Sequence, residues 1–467
     1  MPETPLTLGE VARATAGTAA AGGVAVSVTG VSIDSRKVRE GELFVAIAGP
    51  RFDGHDFVAE AARRGAGAAL VHRDPEPAAA LPLVRVADTT RALADLARYA
   101  RGKFQSPVVA ITGSAGKTTT KEMTAALLAT KGPVLKTEGN LNNQYGLPLN
   151  LLRLAPEHAA AVLELGMSAR GELRMLSGIA QPDVAVITMV APVHLEFFAS
   201  VDEIADAKAE ILEGLRPGGI AVLNGEDPRV RKIGERHRAA GHEVVWFGRD
   251  RAYEVSAENW RGTVHGMRFD MRVAGRSLDV ALPLPGPHFL MNFLAAAAVA
   301  FRLGVAPETI AATAVTIQAA SHRGQVVTLA EGVTLLDDSY NSNPAAVEAA
   351  VLALDMSAKG RRVAFLGDML ELGPSGEDLH RRTGENVGRK LDAMVGVGAL
   401  AKAFLEGARQ AGMRPEALHH FPDSKAAASA AAEIVRPGDA VLVKGSRGVR
   451  MEAVVDALRA RFGAREG

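Results

Sequence analysis

Apolar residues in this chain come in short runs separated by polar stretches, and the rhythm of that alternation changes twice along its length. Up to about residue 106 the apolar runs are brief, at 41–48 and 68–71, with one helical stretch over 88–99. The run SIDSRKVREGELFVAIAG reads as strand, turn and strand, with Glu40 and Gly41 at the bend. From 107 to 319, strands at 108–112, 161–165, 184–189 and 220–224 alternate with helical stretches, the first helix running from Lys117 to about Thr130. Such alternation predicts a parallel sheet with helices on both faces. Between about 253 and 284 the pattern becomes short alternating strands without helices. This predicts a small antiparallel appendage, followed by a helix over 292–303. From 320 to 467, strands at 334–336, 363–366, 394–397 and 440–443 are separated by helices near 345–355, 375–390 and 425–435. That is the pattern of a doubly wound domain.

The chain is therefore read as an α/β protein of three domains, 1–106, 107–319 and 320–467. The first is small and mixed, the central one a parallel-sheet domain with its appendage, and the last Rossmann-like. A length of 467 residues agrees with three domains at roughly 100–200 residues each. Lysine plus arginine equals aspartate plus glutamate at 53 each, so no overall field points to nucleic acid or an anionic membrane. An anionic ligand must be held by local charge. Cysteine is absent, which excludes disulfides, thiolate metal sites and cysteine nucleophiles. The first residues lack a basic stretch followed by an apolar one, and the longest apolar run, 289–301, falls short of the ~20 residues that span a bilayer. A cytoplasmic enzyme without membrane insertion is expected.

The strongest chemical signal is VVAITGSAGKTTTKEM, where a buried strand gives way to a glycine turn and then to a helix. Backbone amides in such a turn, with the positive end of the helix dipole, make a cradle for phosphate oxygens. Gly113, Ser114, Ala115, Gly116, Lys117, Thr118 and Thr119 form it. Lys117 would reach the outer phosphates of ATP and the Thr118 hydroxyl would ligate Mg²⁺. Ile111 stands where the usual loop has its first glycine. The competing reading is a plain connecting turn.

Glu164 closes the strand that ends in ELGM, and His194 follows the next strand by a few residues. Taken alone, one is a surface carboxylate and the other a loop histidine. Their positions after successive strands of a phosphate-loop sheet favour function, because ligands of open α/β sheets gather at the carboxyl ends of strands. Lys208, in DEIADAKAEIL, reads on residue pattern alone as a solvated lysine between acidic neighbours.

Several of these stretches together resemble the Mur ligases of peptidoglycan synthesis. TGSAGKTTTK is similar to their ATP loop, ELGM to their metal-binding glutamate, APVHLEFFAS to their histidine motif, and GPHFLMNFLAAAA to the motif whose asparagine, here Asn292, faces adenine. DSRKVREGELFVAIAGPRFDGHDF resembles the uridine-nucleotide domain of the members that add the third and later residues. LLDDSYNSNPAAVEAAVLAL and TEGNLNNQYGLPLNLL resemble the member that joins D-alanyl-D-alanine to a UDP-N-acetylmuramoyl tripeptide. The resemblance implies an acyl phosphate made from ATP and a monomeric enzyme. It implies catalytic or metal roles for Lys117, Thr118, Glu164, His194 and Lys208, the last as a carbamate. It also implies ATP contacts from Arg323 and Asp338. Substrate contacts are implied for Ser35, Arg36, Asp53, Gly54, Asn140, Asn143, Asn341 and Asn343. His322 occupies the place where the family has glycine before the arginine.

Overall fold

The computed structural model describes residues 5–19, 23–76, 78, 80–193, 195–263 and 265–463. The chain divides into two compact units, one of Met1–Thr112, Lys131–Val186 and Ala209–Ala221, the other of Gly113–Thr130, Ile187–Lys208 and Val222–Gly467. The central sequence segment contributes to both.

In the first unit a five-stranded sheet runs in the order Thr18–Ala19, Leu83–Arg85, Ala68–Val71, Leu43–Val45, Val31–Ser32. Its strands alternate between two cores, as a period of two requires. Leu43, Val45, Ala68 and Leu70 meet Leu93 and Leu96 of the helix Thr89–Lys103 on one face. Phe44, Ala46, Ala69 and Val71 meet Val58 and Ala61 of the helix Val58–Arg63 on the other. Val31–Ser32 and Leu43–Val45 pair in parallel, so the residues between them are a crossover rather than a hairpin turn. Gly41 still bends there, with φ 80°.

The helix Thr89–Lys103 begins where the Asp88 carboxylate accepts from the backbone N–H groups of Thr90 and Arg91. Near its end Arg101, 1% exposed, donates to the carbonyls of Ala180, Gln181 and Phe104 and to the Asp183 carboxylate. Asp183 also accepts from Val108 N–H. A buried guanidinium is tolerated only with such a set of acceptors. It fixes the start of the strand Val108–Thr112, which pairs in parallel with Ala160–Glu164, itself parallel to Val134–Lys136. All five residues of Val108–Thr112 are buried, the composition of a strand covered on both faces.

In the second unit the helix Lys117–Leu128 packs on Pro287–Arg302, whose buried Ala295, Ala296, Ala297 and Ala298 allow close approach. This helix starts five residues earlier than the apolar pattern suggests, because Pro287 occupies its first turn after Gly286. The appendage is as expected: Val255–Thr263 pairs antiparallel with Gly266–Val273, and that strand with Arg276–Leu282.

A six-stranded sheet follows, in the order Gln325–Thr328, Thr334–Asp338, Ala440–Lys444, Arg362–Gly367, Ala393–Val397, Leu418–Phe421, parallel except for its first strand. Val347, Val351, Leu354, Val387 and Phe404 cover one face. Ala427, Ala431, Val454, Val455 and Leu458 cover the other. The doubly wound expectation holds. Among the described residues no helix is long and apolar enough to cross a membrane.

Candidate functional site

The turn after Val108–Thr112 is built from conformations that side chains resist. Gly113 has φ 152° and Gly116 φ 84°. A Cβ on Gly113 would lie 1.9 Å from Thr188 Oγ1, and one on Gly116 would lie 2.3 Å from Asn292 Oδ1. Glycine is therefore required at both for steric as well as dihedral reasons. Ser114 N–H donates to the Met189 carbonyl, Ser114 Oγ to the Ala191 carbonyl, and Thr188 Oγ1 to the Ala115 carbonyl at 2.5 Å. Ala191 N–H returns a bond to Ser114 Oγ. Asn224 Nδ2 holds the Thr188 carbonyl in turn. The helix opens at Lys117, directly after the left-handed Gly116.

Lys117 Nζ donates to the Gly113 carbonyl at 2.8 Å. Thr118 and Thr119 occupy the first turn of that helix. At the next residue, Thr120 Oγ1 donates to Asn292 Oδ1 at 3.3 Å. Asn292 thus braces the loop helix from Pro287–Arg302.

Lys208 corrects the sequence pattern. It is 2% exposed, not solvated. Burial, with the positive charge of Lys117 added, pushes its ammonium well below the usual lysine range. Acidic neighbours in sequence misled because a helix turns them to different faces: Asp206 is on the side that meets Arg236, while Glu210 is buried.

Glu164 ends its strand with 4% exposure. Asn142 Nδ2 donates to its carboxylate at 3.0 Å, and Glu164 N–H donates to Thr137 Oγ1. Asn142 escaped the sequence reading, which singled out its neighbours. Asn143 Oδ1 accepts from the N–H groups of Tyr145 and Gly146, at the turn that leads into the helix Gly146–Leu151. The Asn140 carbonyl accepts from Asn142 N–H. His194 lies outside the described residues. Among the described residues no group of three or more histidines and acids could hold a metal ion. Magnesium does not demand one, since it takes one or two carboxylates beside phosphate oxygens and keeps waters.

At the carboxyl ends of the six-stranded sheet, Asp338 and Lys444 stand opposite each other in register. Lys444 Nζ donates to Asp338 Oδ2 at 2.5 Å and to the Asn341 carbonyl at 2.9 Å. Burial pushes the Asp338 carboxyl up, while Lys444 and Arg323 pull it back. Burial and the Lys444 charge also push His288 down to about 3, and its buried Nδ1 has no hydrogen-bond partner among the described residues. Arg323 lies over the Tyr340 ring at 4.0 Å. His322 keeps a left-handed φ of 58°, the conformation a glycine would supply, and its ring reaches the fully buried Asp337 at 2.9 Å. Ser339 Oγ donates to the other oxygen of that carboxylate. Asn343 caps the helix Pro344–Ser357 through Ala346 N–H, and Asn341 Oδ1 accepts from Ser342 N–H. Lys444 was missed, although its place at a strand's carboxyl end is the signal that could have found it.

In the first segment, Ser35 donates to Glu60 at 3.0 Å and Arg36 pairs with Asp34 at 2.9 Å. Asp53 is opposed by its own burial, yet bonds from His55 and Arg73 hold its carboxyl well below the usual range. A Cβ on Gly54 would meet the backbone of Ala46 and Ile47 at 2.7–2.8 Å.

A glycine turn braced in this way, a buried lysine and a doubly wound end domain are the parts of a nucleotide-using ligase. Three profiles match along the chain: the Mur ligase family catalytic domain over 27–101, the middle domain over 111–300, and the glutamate ligase domain over 322–447. The UDP-N-acetylmuramoyl-tripeptide–D-alanyl-D-alanine ligase of Escherichia coli (strain K12) is 39% identical over 442 residues, covering 94% of this chain and 95% of that protein. The chain belongs to the Mur ligase family. Among solved structures, MurF from Acinetobacter baumannii superimposes with a TM-score of 0.91 at 34% identity, over 98% of this chain and 100% of that one. MurF ligase from Thermotoga maritima, in complex with ADP, gives 0.81 at 32% identity, over 92% and 97%. The chain is an ATP-dependent ligase of the Mur type.

Proposed function

We infer that this enzyme joins D-alanyl-D-alanine to UDP-N-acetylmuramoyl tripeptide, converting ATP to ADP and phosphate, as a cytoplasmic step of peptidoglycan precursor synthesis. The observation that carries the reading is likeness over 94% of the chain to a ligase of that name, at 39% identity. Chemically, a free carboxylate is a poor acyl donor because oxide would have to leave. Phosphorylation replaces oxide by phosphate, and the dipeptide amine then attacks the acyl phosphate through a tetrahedral intermediate.

The residues divide the work. Amides of the Gly113 to Thr119 turn cradle phosphate, and Lys117 leaves the Gly113 carbonyl to meet the outer phosphates. Arg323, Asp338 and Asn292 serve the nucleotide. Thr118, Glu164, His194 and Lys208 serve Mg²⁺, which when bound neutralises charge on phosphate oxygens. A lysine amine whose proton is disfavoured is a nucleophile toward carbon dioxide; forming the N–C bond releases one proton, and the resulting carbamate would place an anion beside the positive charge of Lys117. Ser35, Arg36, Asp53 and Gly54 of the domain 1–106 serve the nucleotide sugar. Asn140, Asn143, Asn341 and Asn343 complete the substrate contacts. The domains 107–319 and 320–467 supply ATP and the incoming amine, in a monomeric enzyme.

Phosphate release from ATP, measured with the tripeptide substrate with and without D-alanyl-D-alanine, tests the reading. Release that needs both supports it. Release with single amino acids in place of the dipeptide, and none with the dipeptide, overturns it.

A further inference from the structure

The Tyr340 ring carries two guanidinium groups, Arg323 at 4.0 Å and Arg447 at 5.2 Å from its centroid. Cations favour an aromatic face, but two on one ring repel each other, so the pair is a standing excess of positive charge. Among the described residues Arg323 has no carboxylate at ion-pair distance. The Arg447 side chain is 63% exposed and is paired on one edge with Glu452, five residues on. A planar guanidinium held by one carboxylate edge-on keeps further N–H groups for a second. Nearby Lys444 cannot serve, because it is 2% exposed and its ammonium is engaged by Asp338 and the Asn341 carbonyl.

Position narrows the ligand. Tyr340 follows the carboxyl end of Thr334–Asp338, and Arg447 follows that of the adjacent strand Ala440–Lys444. In doubly wound sheets this is the edge where ligands bind. Two anionic groups have to be received by this domain under the function given above: phosphate of the nucleotide, and the terminal carboxylate of the incoming dipeptide. Arg323, which bears on Asp338 electrostatically, belongs with the nucleotide. We propose that Arg447, aligned by Tyr340 and Glu452, binds the terminal carboxylate of D-alanyl-D-alanine and sets the preference for a dipeptide acid. This rests on the function inferred above and adds the residue that reads the far end of the acceptor.

The test pairs a charge removed from the substrate with a charge removed from the protein. Kinetics are measured with D-alanyl-D-alanine and with D-alanyl-D-alaninamide, for the full-length enzyme and for Arg447→Met and Arg447→Lys. The expected result is a loss of roughly 10- to 100-fold in kcat/KM when the unsubstituted enzyme is given the amide, as for loss of a charge-assisted pair. Arg447→Met should show a similar loss with the acid, carried by KM for the dipeptide, and should treat acid and amide alike within about twofold. Arg447→Lys should regain part of the preference, and KM for ATP should hold in both variants. Arg447→Met that keeps the full preference for the acid overturns the proposal, as does a rise confined to KM for ATP. Failure of the unsubstituted enzyme to use D-alanyl-D-alanine at all would instead strike the inferred function.

Discussion

Lys117 Nζ donates to the Gly113 carbonyl at 2.8 Å, so the cation of the loop is held by the turn it serves. The charge is thereby kept beside the turn, four residues from its anchor. Lys117→Ala removes both the anchor and the charge. Turnover should fall by at least ~10², the usual cost of losing a preorganised partner for developing phosphate charge. Steady-state phosphate release reads it directly, and near-normal activity would remove Lys117 from the site.

Gly113→Ala places a methyl group 1.9 Å from Thr188 Oγ1 on a backbone with φ 152°. Strain of about 1–3 kcal/mol is expected at such a position. Nucleotide-analogue binding should weaken by about tenfold or more. Titration calorimetry checks this. Adding Thr188→Ala frees space without changing φ, so it should restore affinity only in part. Full recovery would mean that the dihedral itself is unstrained.

Glu164→Ala should raise the Mg²⁺ concentration needed for half-maximal turnover. Asn142→Ala, which removes one hydrogen bond from the Glu164 carboxylate, should do the same more weakly, roughly tenfold. An unchanged Mg²⁺ titration in Glu164→Ala excludes that carboxylate from the metal.

Lys208 makes a prediction about stability and pH. Burial and the Lys117 charge lower its amine well below the ordinary 10.5, so between its lowered value and 10.5 the unfolded chain binds an extra proton. Unfolding free energy therefore rises with pH through that window. Relative to Lys208→Met, the unsubstituted protein in carbonate-free buffer should gain stability in denaturant titrations as pH rises toward the ordinary lysine value. A pH-independent difference would show that the amine has no depressed value.

Lys444→Met leaves the Asp338 carboxylate without its counter-charge. Breaking a buried pair by removing one partner costs about 3–5 kcal/mol. The deficit should shrink as pH falls, because protonated Asp338 needs no cation and its carboxyl is already pushed up by burial. Thermal melting from pH 8 to 5 follows it, and a deficit that grows on acidification would refute the pairing.

Much of this architecture was written in one dimension. Buried strands such as Val108–Thr112 and Ala440–Lys444 are continuous apolar runs because both faces are covered, and that composition is visible without coordinates. The glycine turn, Glu164 at a strand end and the antiparallel appendage were legible for the same local reasons. Short strands such as Val134–Lys136 and Leu418–Phe421 were not, since three or four residues carry too little period to separate from a loop.

What the chain dictated alone is its sequence of elements and the chemistry at their ends, because apolar period and glycine placement act between near neighbours. Tertiary structure decided which charges are buried and with whom. Lys208 reads as solvated until its helix is packed, Lys444 meets Asp338 across 106 residues, and Asn142 finds Glu164 across 22. Desolvation and ion pairing depend on atoms that only folding brings within a few ångströms, so no local pattern records them.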